Sequence, residues 1–275
     1  MSTEMEQTEV TSGPPLVIES VYDHPKYYDL LFGSDCQAEL AFLEGCFERY
    51  TDRTVERLFE PGCGTGRLLI HFARAGYTVS GNDLNAMAID YCNDRLERNG
   101  FARSCVVGDM SDFCLADLPN RTLADAAFNT INTFRHLSSD AAAIAHLNCM
   151  ADVIAPGGLY AVGIHLLPTR GIRMEEEAWT SRRGHLQVNS FMWSKRIDDR
   201  DEVLGMTLDV YTPTSHRRIE DEMRYRTYTA DQFDELLSLC PQWEVAATHD
   251  FAYDLDNPIE IGPMTEDVVY VLRRI

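Results

Sequence analysis

The stretch from Val55 to Asp83 constrains the fold of this chain more than any other part of the sequence. Residues 55–59 predict a short strand, and a turn with glycine at every second position follows them. Residues 67–74 carry apolar side chains at helical spacing, and the apolar run 77–81 predicts a returning strand. A strand, a turn, a helix and a second strand in this order predict a βαβ unit with Asp83 at its end.

The glycine-rich turn predicts a site for a nucleotide-like ligand. Gly62, Gly64 and Gly66 can adopt positive φ and let the backbone approach a ligand closely, because glycine has no Cβ atom. The helix that follows directs free N–H groups toward an anionic group, either a phosphate or a carboxylate. Asp83 comes 83 − 62 = 21 residues after Gly62, near the offset of ~20 residues at which an acid contacts ribose hydroxyls.

Two enzyme classes share this arrangement, and the glycine spacing separates them. NAD(P)-dependent oxidoreductases use Gly-x-Gly-x-x-Gly, which requires a third glycine where this chain has Arg67. The pattern present is Glu60-x-Gly62-x-Gly64-x-Gly66. It resembles motif I of the class I methyltransferases, which use S-adenosyl-L-methionine and release S-adenosyl-L-homocysteine. The oxidoreductase stays as an alternative of another class, as does a non-catalytic protein that binds S-adenosylmethionine.

The resemblance implies which residues hold the cofactor. In the family, the acid before the glycines helps to hold the methionine amino group, and an acid beyond the third strand accepts a hydrogen bond from the adenine amino group. The cofactor-binding residues predicted in this way are Glu60, Gly62, Gly64, Gly66, Asp83, Leu84, Asp109, Met110 and Asn129.

Four further motifs narrow the resemblance. They are Tyr28-Asp29, Cys-Gly-Thr-Gly at 63–66, Gly-Asp-Met-x-Asp-Phe at 108–113, and His136 two residues after Phe134. Together they resemble the small-molecule N-methyltransferases that dimethylate nucleotide-linked amino sugars. That group has Ser-Ser and Gly at positions where this chain has the residues Asn132-Thr133 and Arg135. A bulky cation at this point could bind a carboxylate or phosphate of a different substrate.

The resemblance also places the catalytic and acceptor-binding candidates. The fourth strand of the family ends near the transferable methyl group, which makes Asn132 and Arg135 candidates for binding the substrate. A helical segment before the sheet closes over the site in many members, so Tyr27 is a further substrate-binding candidate and Tyr28 a catalytic one. His136, with an unperturbed pKa of ~6.5, can take a proton from an amine near neutral pH, although a lone histidine is more often structural.

The alternation of strands and helices predicts an α/β fold. Five strands that alternate with helices indicate a parallel sheet covered on both faces, and a final strand pair is how the seven-stranded, Rossmann-like methyltransferase sheet ends. Strict apolar alternation later in the chain predicts a small antiparallel β insert after strand five, on the acceptor side. The predicted organisation is a disordered tail at 1–15 and a single domain at 16–275, composed of a helical N-terminal segment (16–50), a core (51–169 and 228–275) and the insert (170–227).

Composition limits the partners. The chain has 44 acidic and 24 basic residues, a formal net charge of −20, which argues against DNA or RNA as a substrate. Its eight cysteines include no Cys-x-x-Cys pair and no adjoining histidine cluster, so we predict neither a metal site nor a disulfide framework. No apolar segment approaches the ~20 residues of a membrane span, and the N-terminus does not resemble a signal peptide.

The sequence therefore predicts a cytoplasmic methyltransferase that acts on a small-molecule methyl acceptor. An amine is the first candidate for the acceptor, and O- or C-methylation of another small metabolite is the alternative. The sequence leaves the oligomeric state open, a homodimer included.

Overall fold

The computed structural model describes residues 16–33, 35–119, 121–171 and 176–275. The predicted disordered tail, residues 1–15, lies outside the described residues. Along the described chain, the strands are β1 (Leu16–Ile18), β2 (Arg57–Pro61), β3 (Thr78–Asp83), β4 (Cys105–Val107), β5 (Ala124–Asn129), β6 (Ile154–His165), β7 (Glu176–Arg183), β8 (Leu186–Arg196), β9 (Asp201–Thr212), β10 (Ser215–Arg226), β11 (Trp243–His249) and β12 (Asp267–Arg274). The α-helices are α1 (Pro25–Phe32), α2 (Gln37–Arg49), α3 (Leu69–Ala75), α4 (Ala86–Arg98), α5 (Asp140–Val153) and α6 (Ala230–Ser238).

Seven strands form the central sheet, in the order β4-β3-β2-β5-β6-β12-β11. The first five are parallel to one another, whereas β12 is antiparallel to both of its neighbours. Helices cover both faces: Leu147 of α5 and Phe233 of α6 belong to one buried cluster, and Leu43 of α2, Phe72 of α3 and Ile89 of α4 belong to the other. This architecture confirms the predicted Rossmann-like, seven-stranded α/β fold.

Local sequence signals explain where several helices begin. The side chain of Asn85 accepts a hydrogen bond from Ala88 N at 2.9 Å before α4, and that of Ser139 accepts one from Ala142 N at 3.1 Å before α5. Thr229 opens α6 with a reciprocal capping box. Such caps satisfy backbone N–H groups that have no partner within the helix, so they fix the start of each helix.

The predicted insert is part of a second sheet, in the order β1-β10-β9-β8-β7. Met206, Leu208 and Val210 alternate along β9 and are buried in one cluster with Leu30 and Leu31 of α1. The second sheet is therefore packed against the N-terminal segment. That segment, predicted to be helical from residue 16, begins instead with β1, which pairs in parallel with β10.

Within the described ranges, no helix is both long enough and apolar enough to cross a membrane.

Candidate active site

The candidate site lies at the carboxyl ends of the central strands, where open α/β sheets bind their ligands. A cavity of about 410 Å³ opens there, and we call it the first cavity. It is lined by seven of the predicted cofactor residues, namely Glu60, Gly62, Gly64, Asp83, Leu84, Met110 and Asn129. Residues far apart in the sequence thus meet because β2, β3 and β5 end at the same edge of the sheet.

Asp83 is held beneath the glycine turn by two backbone groups. Gly64 N donates to Oδ2 of Asp83 at 2.8 Å, and Asn85 N donates to Oδ1 at 2.8 Å. Burial raises the pKa of Asp83, and the two N–H groups act in the opposite direction by stabilising the carboxylate. Gly64 has a φ of +51°, a value that disfavours any residue with a Cβ. Each carboxylate oxygen keeps lone pairs free to accept further hydrogen bonds from a ligand.

Two buried oxygen atoms on the other side of the glycine turn have no hydrogen-bond partner among the described residues. They are Oε2 of Glu60 and Oδ1 of Asn129, and both side chains line the first cavity. Asn129 is fixed because its Nδ2 donates to the carbonyl of Pro61 at 3.1 Å. Burial raises the pKa of Glu60 well above its usual value. A buried acceptor without a partner is costly, so these oxygens are suited to a ligand that brings hydrogen-bond donors.

Arg67, which stands in place of a third glycine, forms a buried ion pair. Its guanidinium donates to the two carboxylate oxygens of Glu39 on α2 at 2.5 and 2.6 Å and to Thr130 Oγ1 at 3.2 Å. The Thr130 hydroxyl in turn donates to Glu39. This network connects α2, the glycine turn and the end of β5, and Arg67 and Thr130 are themselves part of the lining of the first cavity.

The far wall of the first cavity is aromatic. It contains Tyr22, Tyr28, Tyr225 and His136, and the Tyr22 hydroxyl lies 2.9 Å from Nε2 of His136. Burial lowers the pKa of His136 to about 4 and raises the pKa of all three phenols. The histidine and the tyrosines are therefore uncharged at neutral pH.

A second cavity, of about 550 Å³, adjoins the first and lies between the central and second sheets. Tyr22, Tyr28, Tyr225 and Ile131 line both cavities, so they mark the junction between them. The lining of the second cavity extends as far as β7, where Trp179 forms part of the wall. This geometry offers one compartment for a cofactor and a second for an acceptor, with a shared boundary.

Both residues predicted to follow the fourth strand as substrate contacts, Asn132 and Arg135, line the second cavity. Asn132 Oδ1 accepts a hydrogen bond from His165 N at 2.5 Å. The guanidinium of Arg135 is buried and forms an ion pair with Glu202. Its Nε also donates to the carbonyl of Arg226 at 3.0 Å, so much of its hydrogen-bonding capacity is already engaged inside the protein.

Three predicted residues lie outside the lining of both cavities. Tyr27 stacks on His24, with ring centroids 5.7 Å apart. Gly66 packs against Cys92, where a Cβ atom would collide with the sulfur. Asp109 accepts hydrogen bonds from the N–H and hydroxyl of Ser111 at 2.7 and 2.8 Å, which stabilises the turn after β4.

Sequence reasoning missed Tyr22 and Tyr225. Tyr22 lies in the tyrosine-rich stretch that predicted Tyr27 and Tyr28, but in a short 3-10 turn before α1. Tyr225 is on β10 of the second sheet, and no local pattern distinguishes it from the other alternating residues of that strand. Its place in the site depends on how the second sheet docks.

The structure also brings together three cysteines that are far apart in the sequence. The Sγ atoms of Cys63, Cys92 and Cys105 lie within 4.8 Å of one another, buried beneath the glycine turn. Three thiols are one ligand fewer than a structural zinc site takes. The cluster was not predicted, because its cysteines have no Cys-x-x-Cys spacing.

Comparisons with known proteins agree with this geometry. Residues 59–158 match a family model described as a methyltransferase domain. The chain is similar to the structure of an S-adenosylmethionine-dependent methyltransferase from Clostridium acetobutylicum, with 14% identity, a TM-score of 0.73, and 90% of this chain and 96% of that chain covered. A search of curated proteins finds no match.

Two further similar structures are described as sugar-modifying enzymes. One is an amino pentose methyltransferase from Micromonospora echinaspora with bound S-adenosylmethionine, with 21% identity, a TM-score of 0.70, and 94% of this chain and 98% of that chain covered. The other is a sugar N-methyltransferase from Streptoalloteichus, with 17% identity, a TM-score of 0.68, and 100% of both chains covered. These likenesses establish the shared fold.

Proposed function

We propose that this chain is an enzyme that transfers a methyl group from S-adenosyl-L-methionine to a small-molecule acceptor. The match of residues 59–158 to a family model described as a methyltransferase domain supports this proposal. The acceptor that we propose first is an amine. O- or C-methylation of another small metabolite is the alternative. One of the similar structures is described as a sugar N-methyltransferase and another as an amino pentose methyltransferase, which supports an amine as the acceptor.

The observation that carries the proposal is the arrangement of acids around the glycine turn. On one side, Glu60 has a buried carboxylate oxygen that has no hydrogen-bond partner among the described residues. On the other, Asp83 has a carboxylate fixed by two N–H groups. An amino acid joined to a nucleoside presents an ammonium group and ribose hydroxyls, which are donors of the kind that these two acids accept. We propose that Glu60 holds the ammonium group and Asp83 the ribose, with Asn129, Met110, Leu84 and the glycine backbone completing the site.

S-adenosylmethionine, when bound, supplies a methyl group on a positively charged sulfur. The chain contributes alignment of the acceptor atom, and well-oriented reactants can account for roughly 7–11 kcal/mol of a barrier. Tyr22, Tyr28 and Tyr225 line both cavities, so they are placed to orient an acceptor at the junction. We assign Tyr28 this orienting role, with Asn132 farther along the acceptor compartment.

His136 is the proposed proton acceptor, acting together with Tyr22. An ammonium group has no lone pair and must lose a proton before methylation. His136 is uncharged at neutral pH because burial lowers its pKa to about 4, and its Nε2 lies 2.9 Å from the Tyr22 hydroxyl. The pair can therefore pass a proton from the junction toward the histidine.

Calorimetric titration with S-adenosylhomocysteine, with NAD and NADP as controls, tests the cofactor. We expect saturable binding of S-adenosylhomocysteine alone. Asp83→Ala and Gly64→Val should abolish that binding, because the first removes the fixed carboxylate and the second places a branched residue at φ +51°. Asp112→Ala, which changes an exposed acid outside the lining of the first cavity, is the matched control and should bind normally. Binding of a nicotinamide cofactor, or normal affinity in both site variants, would overturn the proposal.

A further inference from the structure

The charges that line the second cavity argue against an anionic acceptor. Arg135 looked from the sequence like an anchor for a carboxylate or phosphate, but in the structure its charge is balanced by Glu202. His165, the other basic side chain among the described lining residues, has its Nδ1 2.8 Å from a carboxylate oxygen of Asp267. Both basic side chains in the described lining therefore lie next to an acidic side chain, and neither is left to pair with an anionic ligand.

Among the residues that the structure describes, two acidic side chains lie at the mouth of the same cavity. Glu176 and Glu177, adjacent on the edge strand β7, line the cavity and are exposed to solvent. Both would repel a nucleoside diphosphate, whose two phosphates carry negative charge, and would attract a cation.

The inner wall of the second cavity is a continuous row of aromatic rings. Ring centroids are separated by 5.4 Å from Tyr22 to Tyr28, by 4.6 Å from Tyr28 to Phe32, and by 5.5 Å from Phe32 to Trp179. All four rings line the cavity, as does Trp193 on the neighbouring strand β8. Aromatic surface of this extent favours a ligand with a flat or apolar body, which it removes from water.

At the junction of the two cavities, the aromatic wall consists of Tyr22, Tyr28 and Tyr225. Their phenols are uncharged, so the attraction that these rings offer a cation comes from their electron-rich faces. Aromatic faces attract ammonium groups, and sites that recognise methylated ammonium ions are commonly lined by such rings.

We propose that the acceptor is an amine with a ring-bearing, apolar body and without phosphate or carboxylate groups. Its ammonium group lies at the tyrosine junction, its body lies along the aromatic row, and the glutamates at the mouth favour its entry. This inference rests on the proposed methyltransferase function and specifies the substrate class. It departs from the nucleotide-linked amino sugars that the sequence motifs suggested.

A matched set of probes tests the inference. Protein saturated with S-adenosylhomocysteine is titrated with 2-phenylethylamine, with 3-phenylpropionate as an anion of similar size, and with thymidine 5′-diphosphate. Tryptophan fluorescence is the readout, because Trp179 and Trp193 line the second cavity and the phenyl probes do not emit in the same range. We expect saturable binding of the amine at least ~10-fold tighter than that of the acid, and no binding of the diphosphate.

Two variants separate electrostatic attraction by the glutamates at the mouth of the second cavity from apolar binding along its aromatic wall. Glu176→Gln combined with Glu177→Gln should weaken binding of 2-phenylethylamine about tenfold and leave S-adenosylhomocysteine binding unchanged. Glu222→Gln on β10 removes an exposed acid of the same sheet that does not line the cavity, and it should change neither affinity.

The outcomes distinguish a wrong substrate class from a wrong methyltransferase function. If S-adenosylhomocysteine binds but the amine shows no saturation, or binds no more tightly than the acid or the diphosphate, the substrate class is wrong and the methyltransferase proposal stands. If S-adenosylhomocysteine itself does not bind, the proposed function fails first.

Discussion

At the scale of single residues, His136 shows how its surroundings alter the chemistry that the sequence suggested. A histidine with an ordinary pKa of ~6.5 would be partly protonated at neutral pH. Burial lowers the pKa of His136 to about 4, and Arg135 next to it acts in the same direction. The ring is therefore ready to accept a proton at any pH above about 5, but it holds that proton weakly.

We therefore expect His136→Ala to lower kcat about 100-fold or more, because the histidine accepts a proton from the acceptor. The affinity for S-adenosylhomocysteine should be unchanged. In the unaltered enzyme, kcat/KM should show no step near pH 6.5, since the histidine is already neutral there. Methyl transfer to an amine, followed between pH 5 and 9, measures both effects. The exposed His185→Ala is the control. A step near pH 6.5, or loss of cofactor binding in His136→Ala, would contradict this role.

The residue scale also shows which site residues a sequence can predict. Glu60, Gly64 and Asp83 were predictable because they lie at or just beyond the carboxyl ends of two consecutive strands, and the βαβ connection brings the ends of such strands together. Tyr225 was not predictable in this way. It reaches the same cavity from β10, and its position depends on the packing of one sheet against another rather than on any local pattern.

At the scale of elements, Arg67 joins three parts of the chain at the wall of the first cavity. Its guanidinium pairs with Glu39 of α2, and both contact Thr130 at the end of β5. Both charged side chains are buried, with Arg67 at 6% and Glu39 at 4% of their full exposure. A buried charge that loses its partner is strongly unfavourable, so each residue depends on the other.

We therefore expect Arg67→Met to lower the free energy of unfolding by about 3–5 kcal/mol, because Glu39 would remain buried without its cation. The double variant Arg67→Met with Glu39→Met should lose less than the sum of the two single variants. Urea unfolding of all four proteins measures this coupling. Additive losses would show that the pair is not coupled, and the network would then not explain why an arginine occupies the third glycine position.

A helix or strand could be predicted from the sequence when its own residues carried a clear hydrophobic period or a capping signal. The apolar alternation on β9 and the capping box of α6 are both visible in the local sequence, whereas no local pattern marks β7. Most residues of β7 are exposed, so the strand lacks the alternation of buried and exposed side chains that marks a half-buried strand. Its pairing with β8 defines it, and pairing between strands is not visible in a single segment.

At the scale of the whole molecule, two histidines with depressed pKa values connect stability to pH. Burial lowers the pKa of His136 and of His146 to about 4. His146 is fully buried, and its two ring nitrogens lie 2.8 Å from the carbonyl of Met110 and 2.8 Å from the hydroxyl of Tyr160. In the unfolded chain both histidines would titrate near pH 6.5.

At these two sites the unfolded chain binds more protons than the folded protein between pH 6.5 and 4, so the two histidines lower the free energy of unfolding as the pH falls through this window. At roughly 1.4 kcal/mol per pKa unit, each histidine contributes a loss of about 3 kcal/mol by pH 4. Urea unfolding between pH 7 and 4.5 measures the slope, which His146→Gln should reduce and the exposed His185→Gln should not. Glu60 and Asp83 act in the opposite direction, because burial raises the pKa of both carboxyl groups and the folded protein takes up their protons at a higher pH than the unfolded chain does. The comparison with His146→Gln isolates the contribution of the histidine from theirs. If His146→Gln left the slope between pH 6.5 and 5 unchanged, His146 would take up its proton in the folded protein as readily as in the unfolded chain, and burial would not depress its pKa.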